Sequence, residues 1–269
     1  MLVAQITDCH IVEPGGLVAD RIDTAIGLER EIAAIQRGPA QPDLVIATGD
    51  LVNDARPEQY DRLEHLFAAL DVPIVPVPGN HDDRTELRRR FADVLPPGGP
   101  DEPIDHVIDH GPVRIVLVDT QVPGRNGGRI TPAQLAWLDD VLLDGRDRPT
   151  LIFQHHPPFE TGIGFMDRDV FVGGAEYAAV LARHRQVEMV SCGHLHRVIV
   201  RRFGGTVAAT WPSTGVQLDL GLGQTPVRYT DEPRGFVLHH WDERAGLRSH
   251  LVPVDEPERW TPSWAMQQM

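Results

Sequence analysis

An apolar run, Leu44-Val45-Ile46-Ala47-Thr48, opens after Pro42-Asp43 and stops on Gly49-Asp50. Such a run reads as a buried strand, and a carboxylate at its end sits where parallel sheets open toward ligands. Four other predicted strand ends also finish in residue types that bind metal. They are Asp8-Cys9-His10, Gly79-Asn80-His81-Asp82, His155-His156 and Gly193-His194-Leu195-His196. Each by itself has a bland explanation as a polar turn. Five in this order, all at strand ends, do not share one.

The spacing between these ends is filled by alternating strands and helices, which argues for a layered α/β fold with right-handed crossovers. Leu2–Ile6 is a strand running into Asp8-Cys9-His10. On extended backbone alternate side chains share a face, so Asp8 and His10 are expected to point together and Cys9 into the core. A helix is expected from Arg21 to Arg37, stopped by Gly38-Pro39, and another from Pro57 to Leu70 with Tyr60, Leu63, Leu66, Phe67 and Leu70 on one face. Pro73–Pro78 is a third strand whose prolines are awkward for a central position. Ile104–Asp109 and Val113–Asp119 form a hairpin, and Thr131-Pro132-Ala133-Gln134 is a helix start with a capping box.

Thr150–Phe153 and Val187–Val190 are buried strands, with a helix near Ala175–His184 between them. The loop from Phe159 to Gly174 is rich in glycine, and its part from Thr161 to Met166 is a candidate mobile wall of a pocket. Beyond His196 the chain is strand-rich: Val198–Phe203, Thr206–Thr210, Gly215–Leu220, Gly235–Trp241 and Leu247–Val252. This half is expected to add a second, mostly antiparallel sheet. No repeat or linker interrupts the pattern, so residues 1–269 are expected to form one domain. The aromatic tail Trp260–Trp264 is a candidate cap or contact between copies.

Composition narrows the function. A formal net charge of −14 disfavours binding to nucleic acid or an anionic membrane. Two cysteines make no disulfide framework, and no signal peptide or membrane-spanning run opens the chain, so a cytoplasmic location is expected. Carboxylates, imidazoles and one carboxamide form a mixed nitrogen and oxygen donor set, suited to Fe, Mn, Zn or Co rather than calcium. The lack of cysteine donors argues against a structural zinc site. Asp50 has the chemistry to face two cations, one oxygen to each, and two metals would clamp an in-line phosphoryl displacement.

Asp-x-His, Gly-Asp, Gly-Asn-His-Asp, a histidine after a strand and Gly-His-x-His, spread over positions 8 to 196, resemble the signature of the calcineurin-like metallophosphoesterase superfamily. Chain length, and Pro212-Ser213-Thr214 followed by Val216-Gln217, resemble its bacterial cyclic-nucleotide and glycerophosphodiester phosphodiesterases. The resemblance implies a four-layer α/β/β/α sandwich of two mixed sheets flanked by helices. It implies hydrolysis of a small phosphodiester, such as cyclic AMP or a glycerophosphodiester, by a hydroxide bridging two divalent or trivalent metals. It places Asp8, His10, Asp50 and His196 on the first metal, and Asp50, Asn80, His155 and His194 on the second. His81 would then steady the transition state or protonate the leaving oxygen, with Asn80, Asn53, His156 and Phe165 around the substrate. Arg84 could reach a phosphate oxygen, but at the opening of a helix it reads more readily as a solvated side chain. A homo-oligomer is the expected assembly. A nuclease or protein phosphatase on the same fold, and a non-catalytic scaffold, are the alternatives.

Overall fold

The computed structural model describes residues 1–38, 40–223 and 226–255; the Trp260–Trp264 tail lies outside them. Three β/α units come first: β1 (Leu2–Ile6), α1 (Thr24–Gln36), β2 (Leu44–Thr48), α2 (Pro57–Phe67), β3 (Ile74–Val77) and α3 (Arg84–Arg90). A hairpin, β4 (His106–His110) and β5 (Val113–Val118), leads into α4 (Pro132–Asp144), β6 (Thr150–Gln154), α5 (Gly174–Leu181) and β7 (Val187–Cys192). Six more strands follow among the described residues: β8 (Ile199–Phe203), β9 (Thr206–Thr210), β10 (Gln217–Leu218), β11 (Tyr229–Thr230), β12 (Gly235–Asp242) and β13 (Gly246–Pro253).

These strands form two large mixed sheets. The first runs β13-β12-β1-β2-β3, with β1, β2 and β3 parallel. The second runs β4-β5-β6-β7-β9-β8, parallel from β5 through β9, with an antiparallel strand at each edge. The expected second sheet in the carboxyl half, mostly antiparallel, is therefore corrected. β12 and β13 return to the first sheet beside β1, and β7 and β9 extend a parallel core. Of the expected strand Gly215–Leu220, only Gln217-Leu218 pairs, with Tyr229-Thr230.

Side-chain alternation explains the layering. Ile115 and Leu117 of β5, with Leu151 and Phe153 of β6, pack into the same apolar cluster as β1, β2 and helices α1 to α3. Val116, Val118 and Ile152, one residue out of phase, pack with Leu138 and Leu142 of α4 and Tyr177 and Leu181 of α5. The second sheet is thus covered on both faces, which is why its strands read as continuous apolar runs. The result is the expected sequence of helices, sheet, sheet and helices. β3 carries its proline, Pro76, at the edge of the first sheet, where a missing N–H costs no ladder bond on the open side.

Local signals act as expected at α4, where Thr131 and Gln134 form a capping box. Helix α1 starts three residues later than expected, because Asp23 accepts the Ala25 N–H and sets the cap there. Among the described residues no helix is long and apolar enough to cross a membrane.

Candidate metal centre

All five motifs emerge from the carboxyl ends of parallel strands: β1, β2 and β3 in the first sheet, β6 and β7 in the second. The Asp-x-His clip does not arise as the alternation argument expected. β1 ends at Ile6, and Asp8 and His10 instead adopt left-handed backbone, with φ of 54° and 44°. Asp50, His194 and His196 do the same, at 49°, 70° and 48°. Such a conformation costs a non-glycine residue roughly 1–3 kcal/mol and persists only where its surroundings hold it. It turns each side chain sharply off the end of its strand toward a common point.

The polar atoms that meet there are mostly acceptors. His155 Nδ1 donates to the Thr48 carbonyl at 2.8 Å, which leaves its Nε2 lone pair facing Asn80 Oδ1 at 3.2 Å and Asp50 Oδ2 at 3.3 Å. His196 Nδ1 donates to the Val216 carbonyl at 2.7 Å, and its Nε2 faces Asp8 Oδ1 at 3.3 Å and His10 Nε2 at 3.2 Å. Asp50 Oδ2 also lies 3.7 Å from His10 Nε2. Donor atoms of Asp8, His10 and His196 lie within 4.8 Å of one another, as do those of Asp8, Asp50 and His155, and those of His155, His156 and His194. Lone pairs converge in this way around a cation, with the opposite ring nitrogen fixed by a carbonyl. The residues present therefore fit the two-metal centre.

Without bound cations, the buried carboxylates draw protons toward His155 and His196 instead. Burial alone lowers a histidine, and it leads in bringing His10 down to about 4 and His194 to about 3. Burial also opposes charge on His155, yet the adjacent Asp50 carboxylate lifts it to about 9. Burial pushes the Asp50 carboxyl up, and the charge and hydrogen bond of His155, then His81 and His10, carry it well below the usual carboxylate range. Burial likewise opposes ionisation of Asp8, and His196 more than reverses it. Two buried carboxylates this close demand positive charge between them.

Residues 1–198 match the model of the calcineurin-like phosphoesterase family. The chain belongs to that family. It is 32% identical over 260 residues to a probable glycerophosphodiester phosphodiesterase, GpdQ, of Arcobacter nitrofigilis, covering 96% of this chain and 95% of that one. It is 30% identical over 215 residues to the 3',5'-cyclic adenosine monophosphate phosphodiesterase CpdA of Escherichia coli (strain K12), covering 80% of this chain and 76% of that one. Among solved structures, a dimetal phosphatase from Danio rerio shares the fold with a TM-score of 0.65 at 17% identity, covering 95% of this chain and 99% of that one. As a calcineurin-like phosphoesterase this chain is a hydrolase whose family centre is dinuclear.

A cavity of about 520 Å3 opens over the cluster, lined among others by His10, Asp50, Asn53, Asn80, His81 and Phe165. His81 donates from Nδ1 to the Asn53 carbonyl at 2.6 Å, and its ring stands edge-on to His10 with centroids 4.8 Å apart. Asp82 does not hold His81; it accepts the Gly79, Leu51 and Val52 amides and ties the ends of β2 and β3 together. His156 departs from the expected pocket. It lines an adjoining cavity of about 450 Å3, with Nδ1 2.8 Å from Thr120 Oγ1 and Nε2 buried without a partner.

Arg84 is corrected outright. It is buried in a two-point ion pair with Asp119, at 2.6 and 3.0 Å, and cannot reach a phosphate. The Thr161–Met166 wall is tied down: Asp167 accepts from the amide and hydroxyl of Thr161 and from the Gly162 amide, and Gly164 donates to Gly223. Asn126, Arg168 and Tyr229 also line the main cavity. They lie in or beside loops with no spacing pattern, so no sequence signal marked them.

Proposed function

We propose that this chain is a dimetal phosphodiesterase acting on small phosphodiesters, 3',5'-cyclic nucleotides or glycerophosphodiesters. One observation carries the reading: a single Asp50 carboxylate oxygen, Oδ2, rather than one oxygen per cation, lies 3.7 Å from His10 Nε2 and 3.3 Å from His155 Nε2. Asp8, His10, Asp50 and His196 would hold the first cation, and Asp50, Asn80, His155 and His194 the second. Fe, Mn, Zn or Co suit these donors. His155 is preferred to His156 as a donor because its Nε2 meets both Asp50 and Asn80, whereas His156 Nε2 meets neither. Bound cations would neutralise the phosphate and supply an ionised water at neutral pH.

The chain's own residues do the rest. Asn53 fixes the His81 ring through Nδ1, leaving Nε2 for the substrate, where it can hydrogen-bond a phosphoryl oxygen or hand a proton to the leaving alkoxide. Phe165, 43% exposed in the cavity wall, offers an apolar face to the alcohol part of a substrate. Donors come from both sheets, which supports reading the chain as one catalytic domain. The net charge of −14 supports small substrates over polyanions or anionic membranes. Two free, buried thiols, Cys9 and Cys192, are in keeping with a cytoplasmic enzyme, and homo-oligomeric assembly belongs to the same reading.

The test compares catalytic efficiency of the metal-reconstituted protein on cyclic AMP, glycerophosphoethanolamine, a phosphate monoester and single-stranded DNA. One of the two small diesters should be cleaved best. Preference for DNA or the monoester would overturn the substrate class and leave the metal chemistry standing.

A further inference from the structure

The left-handed turns at Asp8 and His10 need an external hold, and three hydroxyls provide it. Thr24 Oγ1 donates to the His10 carbonyl at 2.8 Å, Ser213 Oγ to the Asp8 carbonyl at 2.7 Å, and Thr214 Oγ1 to the Thr7 carbonyl at 3.0 Å. The third of these is under competition. Thr214 Oγ1 also lies 3.0 Å from Glu31 Oε2 and 3.7 Å from Cys9 Sγ. Glu31 is fully buried on α1, its other oxygen Oε1 has no partner, and no salt bridge reaches it among the described residues.

A hydroxyl has one hydrogen and two lone pairs. The Thr7 carbonyl, which also accepts the Thr214 amide at 3.0 Å, can only accept, so with a neutral Glu31 the Thr214 hydroxyl hydrogen stays on it. The two lone pairs are then filled by the Cys9 S–H and by a proton carried on Glu31. An ionised Glu31 would instead be an acceptor and would compete for that same hydrogen, as well as being an unpaired buried charge.

We infer that Glu31 is a neutral carboxylic acid that donates to Thr214 and so keeps the Thr214 hydroxyl on the ligand loop, which makes Glu31 a positioning residue for the first metal set. The inference rests on the proposed assignment of Asp8 and His10 as ligands. The surroundings act in the same direction: burial drives the Glu31 carboxyl up to about 8, against the pull of Thr214 and Arg234, while Asp255 adds to the rise. Cys9 Sγ, 3.7 Å away, is the other titratable group that faces the Thr214 hydroxyl.

Two measurements on the full chain test this. The first needs no metal: infrared spectroscopy at pH 7 should show a protonated carboxyl band in wild type that is missing from E31Q. Absence of that band from wild type overturns the inference. The second is calorimetric titration of the metal-stripped chain with Mn2+. T214V, nearly isosteric, should bind roughly 10- to 100-fold more weakly, the usual cost of losing a group that orients a ligand. E31Q keeps a donor, so at pH 7 it should match wild type. Above pH 8 wild type should weaken relative to E31Q as its carboxylate captures the hydroxyl. Unchanged affinity in T214V, tenfold weaker binding by E31Q at pH 7, or a wild-type to E31Q ratio flat across pH 8 would each overturn it. Wild type that binds no Mn2+ would sink the ligand assignment instead, and the infrared band would still decide the state of Glu31.

Discussion

Asp50 does three things with two oxygens. Oδ1 accepts the His81 amide at 2.9 Å, while Oδ2 faces both His10 and His155. Removing the carboxylate therefore takes a donor from both proposed cation sites and frees the backbone that presents His81. Asp50→Ala should abolish hydrolysis and lower occupancy at both sites, read by elemental analysis together with a chromogenic diester assay. Full activity in that variant would sink the dimetal reading. His81 differs in kind: it follows the donor Asn80 but has its own anchor, the Asn53 carbonyl. His81→Ala should keep both metals and lose roughly 10²–10⁴-fold in turnover, the scale of one acid–base group. If one metal is missing from that variant, His81 is a ligand and its assigned role is wrong.

Each motif hangs on an element packed with little tolerance. Gly27 on α1 lies against the segment that clamps the Asp8–His10 loop: a Cβ there would stand 2.1 Å from the Thr214 carbonyl oxygen. Gly49 combines φ of 84° with the His155 ring, whose Nδ1 would lie 2.5 Å from an added Cβ. Gly27→Ala should thus cost about 1–3 kcal/mol in denaturant unfolding, as overpacking does, and should also weaken Mn2+ binding. Loss of stability with unchanged Mn2+ affinity would separate α1 from the ligand loop. The residue types that meet at the site were legible in the sequence because they are side-chain chemistry at strand ends. The turns that aim them were not, since strand alternation says nothing about residues beyond the last ladder bond. The burial of Arg84, expected to be solvated, was hidden for a related reason: its partner Asp119 lies on another strand end, and nothing local in the sequence joins the two.

At the scale of the whole molecule, the first β/α units and the layering could be read from alternation and period. The return of β12 and β13 to β1 could not, because it joins ends of the chain by pairs such as Ala4 with Leu238. A buried polar network accompanies that return. Gln5 donates to Thr48 Oγ1 at 2.8 Å and accepts from Ser191 and from His239 Nε2, while Trp211 donates to Ser191 and Ser249 donates to His239 Nδ1. Thr48 is also the residue whose carbonyl fixes His155, so the network reaches the metal centre from the core side. Two buried groups then set how stability depends on pH, in opposite senses. Burial holds His239 down to about 3 against an ordinary value of 6.5, so its contribution is complete above pH 6.5 and is lost as pH falls toward 3. Glu31 is raised to about 8 from 4.5, so its contribution is complete below pH 4.5 and is lost as pH rises toward 8. Melting temperature in one metal state should therefore fall less between pH 4.5 and 8 in E31Q than in wild type, and less between pH 6.5 and 3 in His239→Gln. Parallel curves for wild type and either variant would show that the substituted group is not a source of the pH dependence.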